Sequence, residues 1–181
     1  MRLTQRTALD LFIEHGFDEV TVGQIADEVG MAASTLYRHF DTKEAIILWD
    51  EHDREIDAAL ERELKVRPPW EAMCVAFVEG LGSKYDADLD FQLKRISYIY
   101  ETTQLHAAAV EADFNDRADL TAGLSHFLSK KQRRTAPLLA GAAMLALDTA
   151  LDNWQQQDAK RSLGTLIVEA FEALSHLGDI N

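Results

Sequence analysis

The sequence predicts an all-α protein of about nine helices, in which a three-helix head with a helix-turn-helix precedes a larger helical domain. Three observations carry that expectation. Apolar residues recur at i, i+3, i+4 and i+7, as in Val22, Ile25, Ala26 and Val29, which builds one helical face. Runs of β-branched residues alternating with polar ones are few, while Ala, Leu, Glu and Asp dominate. The three prolines stand at 68, 69 and 137, so long helices can run almost uninterrupted. With 181 residues, 47% hydrophobic and 27% charged, the chain can bury an ordinary helical core as one or two domains. The boundary is expected between residues 44 and 45.

In the head, Ala8, Leu9, Leu11, Phe12 and Ile13 form a broad apolar stripe that ends at Gly16, where Phe17 can fold back. Thr21 stands just before the second helix, placed to cap its free N–H groups. Gly30 supplies the backbone freedom for a sharp exit, with Met31 as a plug behind it. The third helix, about Ala32–Phe40, turns Leu36 and Phe40 inward. It leaves Ala32, Ala33, Ser34, Tyr37, Arg38 and His39 largely on the other side, a face without a single Asp or Glu. Small residues followed by hydroxyls and a cation suit a helix that enters a groove lined with phosphates. The competing reading is a three-helix packing unit with no nucleic-acid role, which has no need of an acid-free face.

A net charge of −13 opposes that reading at first sight. Residues 1–43 hold Arg2, Arg6, Arg38 and Lys43 against Asp10, Glu14, Asp18, Glu19, Asp27, Glu28 and Asp41. Phosphate attraction depends on the local field, because exposed charges beyond ~8–10 Å are screened. Asp10, Glu14, Asp18 and Glu19 belong to the first helix and its exit, whereas Arg38, His39 and Lys43 gather at the proposed contact face.

From Thr42, a candidate cap, a fourth helix is expected through Ala45, Leu48, Trp49, His52, Ile56 and Leu60 to about Leu64. Lys43 in its first turn is electrostatically odd, since cations favour the other end of the dipole. A bound phosphate would resolve that oddity; an ordinary exposed lysine is the other reading. Tilting so long a helix would move the helix-turn-helix.

These residues resemble the DNA-binding end of the TetR family of bacterial transcriptional repressors. The likeness rests on Leu11-Phe12, Gly16-Phe17, Thr21-Val22, Ile25-Ala26, Gly30-Met31, Ser34, the run Thr35-Leu36-Tyr37-Arg38-His39-Phe40, and Lys43-Glu44. It is close over about residues 4–50 and architectural beyond them. The resemblance implies a homodimeric, cytoplasmic regulator, most simply a repressor, that binds a pseudo-palindromic double-stranded operator and answers to a small effector. Tyr37, Lys43 and the Thr21 region would then hold phosphates, with Ala33, Ser34 and Arg38 on base edges and Thr35 and His39 beside them. TetR relatives commonly carry a basic arm ahead of the first helix. Here about three residues precede it, with Arg2 and Arg6 as cations, so no minor-groove readout is assigned.

Val66-Arg67-Pro68-Pro69 is the clearest break, and the prolines can open a new helix bearing Trp70, Met73, Phe77 and Leu81. Gly80, Gly82 and Ser83 are expected to close it. A sixth helix follows at about Asp86–Glu101, then a long seventh from Thr102-Thr103 through Leu105, Ala109, Ala112, Leu120, Leu124 and Phe127 to Leu128. Lys130-Lys131-Gln132-Arg133-Arg134 reads as a solvated connector whose cations complement a helix end, or as a second nucleic-acid patch.

The last two helices are candidates for a dimer contact. The stripe comprises Ala143, Leu147, Leu151, Trp154, Leu163, Leu166, Ile167, Ala170, Phe171, Leu174 and Leu177. Burial within one monomer is the alternative. Reading a two-fold operator takes two heads about 34–36 Å apart, and the family resemblance implies pairing through these helices. Between head and dimer helices lie aromatics that either pack the core or converge on an apolar cavity. Trp70, Phe77, Phe91, Tyr98 and Phe114, with Arg95, Met144 and Asp148, are the candidate effector contacts. The stretch from Lys94-Arg95-Ile96 to Gln104-Leu105 resembles regulators whose carboxyl-terminal domain binds acyl-CoA-like ligands; another apolar compound would also suit.

Other classes find little support. The histidines at 15, 39, 52, 106, 126 and 176 show no metal-ligand spacing, so neither metal nor cofactor is expected. Glu51-His52-Asp53 reads as a charged solvent face before it reads as a catalytic carboxylate site. No phosphate-cradling glycine loop or nucleophile elbow is present, and no enzyme is expected. Cys74, the single cysteine, reads as a small core residue or a redox sensor and fits a reducing compartment. No stretch of eighteen apolar residues occurs, so no membrane span is expected. The rival function is a related ligand-binding or protein-interaction module that has lost specific DNA binding.

Overall fold

A computed structural model describes residues 1–176; Leu177, the end of the expected last stripe, lies outside the described residues. Among the described residues all regular structure is helical: α1 (Arg2–His15), α2 (Val22–Glu28), α3 (Ala33–Tyr37), α4 (Lys43–Leu48), α5 (Asp53–Glu63), α6 (Pro69–Phe77), α7 (Ser83–Ala87), α8 (Leu89–Glu101), α9 (Thr103–Phe127), α10 (Ala136–Gln156) and α11 (Leu163–Ser175). A π-helical turn, Val78–Gly82, joins α6 to α7, and a 3-10 turn, Gln132–Thr135, precedes α10. The chain forms two compact units, one of Met1–Glu51 with Lys94–Val110 and one of His52–Leu93 with Glu111–Asn181. The first therefore runs past the expected 44/45 boundary and takes in part of α8 and α9.

In the first unit α1 buries Ala8, Leu9 and Phe12 and packs on α2 and α4, which bury Ile25, Ala26, Ile46 and Ile47. Ile13 falls outside the stripe expected for it and is exposed. Gly16, at φ 90°, and Gly30, at φ 68°, take the left-handed backbone that side-chain-bearing residues avoid. Phe17 then folds back edge-on to Phe12, ring centres 5.0 Å apart. After Gly30, the Met31 N–H donates to the Ala26 carbonyl at 2.8 Å, closing α2 and setting the angle to α3.

The expected fourth helix is two helices. α4 stops at Leu48, Trp49 turns extended (ψ 128°), and α5 starts at Asp53. The physical reason is capping by other helices. The Gln5 side-chain amide donates to the carbonyls of Ile46 at 3.2 Å, Ile47 at 3.1 Å and also Trp49. Arg95 donates to Trp49 O at 2.9 Å and more distantly to Ile47 O. Carbonyls satisfied in this way do not require another turn of helix.

The second unit is built on α10 and α11 with α5, α6, α7 and the π turn. Pro69 sits in the first turn of α6, where its missing N–H costs nothing. Gly80 and Gly82 do not close that helix as expected. They lie inside the π turn, where a Cβ on Gly82 would stand 2.8 Å from the Gly164 Cα and one on Gly80 would strike Ile56. Absence of side chains lets two backbones touch there. Phe171 packs on Trp70 and Phe77, with ring centres at 4.5 and 6.0 Å. Trp154, fully buried, lies 5.9 Å from Tyr85. Aromatic burial of this kind contributes several kcal/mol per ring. The Lys130–Arg134 run is exposed, and Arg133 donates to Leu128 O at 3.2 Å, completing the end of α9 as a connector with helix-end cations would.

Candidate functional site

The head presents its candidate contacts on a locally rigid frame. Thr21 and Gln24 form a reciprocal capping box: the Gln24 N–H donates to Thr21 Oγ1 at 3.2 Å, and the Thr21 N–H to Gln24 Oε1 at 2.7 Å. α3 buries Leu36 completely and is followed by the buried Phe40. On its other side Ser34, Tyr37, Arg38 and His39 are exposed, Tyr37 at 53%, while Ala33 and Thr35 are half-buried. The helix itself is shorter than the sequence suggests, with Arg38 at its C-cap.

Lys43, a candidate phosphate contact, has backbone partners within the head. Its ammonium donates to the Phe17 carbonyl, to Val20 O at 3.2 Å and to Asp18 O at 3.5 Å. It also lies 4.2 Å from the centre of the Phe17 ring. A cation at the start of α4 is thus explained by the free carbonyls of the α1–α2 turn that it satisfies. The Asp18 carboxylate is engaged by Gln104, whose amide donates to it at 3.2 Å.

Sequence reasoning missed the braces of the head. Gln5 is buried in an otherwise apolar face of α1, and that polar interruption was the available signal. Arg95 and Tyr98, expected among effector contacts, belong to the first unit. Arg95 is 2% exposed and pairs with Asp50 at 2.8 Å, and the Tyr98 hydroxyl donates to Phe12 O at 2.9 Å. Their side chains are spent on the head's own backbone and carboxylate.

The remaining candidate effector residues lie in the second unit. Trp70 donates its indole N–H to Ser175 Oγ at 2.8 Å and packs at a tilt on Phe171; Phe77 and Phe91 are buried, and Met144 is half-buried. Phe114 stands 63% exposed with the Arg117 guanidinium over its ring. Asp148 is the chemically distinctive member: burial, then the nearby Asp113 carboxylate, pushes its carboxyl up to about 7. Asp116 is raised too, by burial first and then by the Asp113, Asp119 and Asp57 carboxylates. Burial, then the Glu172 carboxylate, raises the Cys74 thiol above its ordinary value, which opposes thiolate formation.

The stripe assigned to a dimer contact is largely consumed within one chain. Ala143, Leu147, Trp154, Leu163, Leu166, Ile167 and Phe171 are buried in the second unit, with Leu151, Ala170 and Leu174 half-buried. A side chain already enclosed by its own chain has no surface to offer a partner. Among the described residues, the large apolar side chains most open on these helices are Leu138, Leu145 and Val168, of which Leu138 is 73% exposed. Among the described residues no group of three or more His, Cys, Asp or Glu could hold a metal ion, and no helix is long and apolar enough to cross a membrane. His52 turns inward rather than joining a charged solvent face, with Glu55 3.9 Å from its ring nitrogen.

A capped α2, a glycine turn and a short α3 with an open polar face define a helix-turn-helix protein. Residues 6–48 match the family "Bacterial regulatory proteins, tetR family", and residues 67–177 match the "MftR C-terminal domain" of that family. The chain belongs to the TetR family. The HTH-type transcriptional regulator TcmR of Streptomyces glaucescens is 39% identical over 89 residues, 47% of this chain and 38% of TcmR. The chain thus spans well under two-thirds of that relative's length. Among solved structures, the fatty acid degradation regulator FadR of Bacillus halodurans superimposes with a TM-score of 0.59 at 19% identity, covering 96% of each chain. FadR of Thermus thermophilus, a TetR family repressor solved with lauroyl-CoA, gives 0.54 at 21% identity over 97% of this chain and 93% of its own. These likenesses show a shared fold.

Proposed function

We propose that this chain is a homodimeric DNA-binding transcriptional regulator, acting as a repressor in the cytoplasm. In this reading α3 enters the major groove of a pseudo-palindromic operator, with Ala33, Ser34 and Arg38 toward base edges and Tyr37, Thr35, His39 and the Thr21 cap toward the backbone. The carboxylate-free, exposed face of α3 is the observation that carries the reading. Membership of the TetR family supports it. A largely apolar effector modulates operator affinity, and the fold shared with a lauroyl-CoA-bound FadR supports an acyl-CoA-like class. Dimerisation uses the outward faces of α10 and α11, where Leu138, Leu145 and Val168 remain open.

The internal engagement of Lys43 favours a second reading, in which the chain is a ligand-binding or interaction module without specific DNA binding. One experiment separates them: fluorescence-anisotropy titration of the full chain with duplex DNA from beside its own gene, over a salt series. The regulator binds that duplex far more tightly than a scrambled one. Its log K falls with log[salt] on a shallow slope, because few cations face the groove. Absence of specific binding at every salt concentration would leave the module.

A further inference from the structure

The end of α4 is held in an unusual way. Its last carbonyls are not left to water or to a glycine cap but are taken by side chains of two other helices, Gln5 of α1 and Arg95 of α8. Arg95 does two things with one planar group. One terminal nitrogen donates to Trp49 O at 2.9 Å, and the other to Asp50 Oδ2 at 2.8 Å. Both side chains are enclosed, Arg95 at 3% and Asp50 at 12% side-chain exposure. Water is therefore a poor substitute for either partner. A lysine has donors enough for both but lacks the rigid planar fork that aims two nitrogens at the two acceptors at once. α4 in turn supplies Ile46 and Ile47 to the core on which α1 and the helix-turn-helix rest. Arg95 is borne by α8 and belongs to the first unit.

We propose that Arg95 is a positioning residue for operator binding: it fixes the exit of α4 at Trp49–Asp50 and thereby the stance of the helix-turn-helix, and its release lowers operator affinity. The proposal rests on the operator reading above. A buried ion pair adds little net stability, and replacing both partners by apolar groups of similar size is often neutral or stabilising. The pair is therefore better accounted for by the geometry it imposes than by the stability it adds.

That distinction supplies the test. The double variant Arg95→Met/Asp50→Leu roughly keeps volume and removes both charges and Arg95's share of the carbonyl cap, leaving that of Gln5; Arg95→Lys keeps the charge and removes the fork. Full-length parent and both variants are compared by thermal unfolding, by hydrogen exchange, and by anisotropy with the operator duplex. The expected result is a melting temperature near that of the parent for the double variant, faster exchange confined to the segment 46–52, and affinity lowered about tenfold in both variants. Unchanged exchange in that segment, or parental affinity despite loosened exchange, would overturn the proposal. So would loss of protection throughout α1–α3 in both variants, which would make Arg95 a folding residue. If the parent itself binds no duplex, the operator reading fails, and exchange at 46–52 alone then decides whether Arg95 fixes the α4 exit.

Discussion

Replacing Gly82 by alanine should damage the second unit far more than the same replacement at Gly164, although the two residues face each other. A methyl on Gly82 would stand 2.8 Å from the Gly164 Cα and 3.1 Å from its N. Both distances are well inside the ~3.5–4.0 Å of a relaxed carbon contact. The obstructing atoms are backbone, held by the α11 hydrogen-bond ladder, so no rotamer change relieves the clash. Overpacking of this kind costs about 1–3 kcal/mol. The reciprocal methyl on Gly164 meets the Gly82 Cα and Val78 Cγ1 at 3.6 Å each, which is ordinary contact. In the first turn of α11 it should gain up to about 0.5–1 kcal/mol of helix propensity. At roughly 2–4 °C per kcal/mol for a chain of this size, the two variants should melt roughly 3–16 °C apart. Thermal and urea unfolding followed by helical circular dichroism measures the gap. Equal stability of the two variants, or greater damage at Gly164, would refute the close approach of π turn and α11.

Further outcomes follow from the same geometry. Arg38→Ala should cost roughly 1–3 kcal/mol of operator affinity, concentrated at one base position; a uniform loss over all sequences would move Arg38 to the phosphate class. Lys43→Met should destabilise the head by about 1–3 kcal/mol before any DNA is added, because three carbonyls lose their donor. Unchanged stability, with a salt slope smaller by about one, would return Lys43 to a phosphate. Asp148 is raised to about 7 in the folded chain from an ordinary 3.8, so the native state binds the extra proton and stability falls as pH rises through that window. Asp148→Asn should therefore stabilise little at pH ~4 and most above pH ~7. A parent and variant whose difference in midpoint does not change with pH would remove the buried carboxyl from the account.

Much of the head was legible because its signals are local. The Thr21 cap, the left-handed glycines at 16 and 30, and the inward pair Leu36 and Phe40 each depend on residues within about one turn of themselves. The polar face of α3 was equally readable, since periodicity alone places Ser34, Tyr37 and Arg38 opposite Leu36. The fourth helix failed as a single element for the opposite reason. Its residues favour continuation, and what stops it are Gln5 and Arg95, 44 and 46 residues distant from Trp49.

The effector and dimer assignments mark the same limit. Periodicity shows that a side chain faces something apolar, and Leu163, Ile167 and Phe171 do so, but it does not tell which apolar surface. Folding gave them to Trp70 and the π turn in their own chain, leaving Leu138, Leu145 and Val168 outside. Sequence by itself determined an all-helical chain with a helix-turn-helix head, because turn chemistry and helical period are encoded in neighbouring residues. Tertiary structure alone decided where α4 ends, what holds Lys43 and Arg95, and which face of α10 and α11 stays open. Those outcomes depend on partners remote in the chain, and only the packed fold brings them within hydrogen-bonding reach.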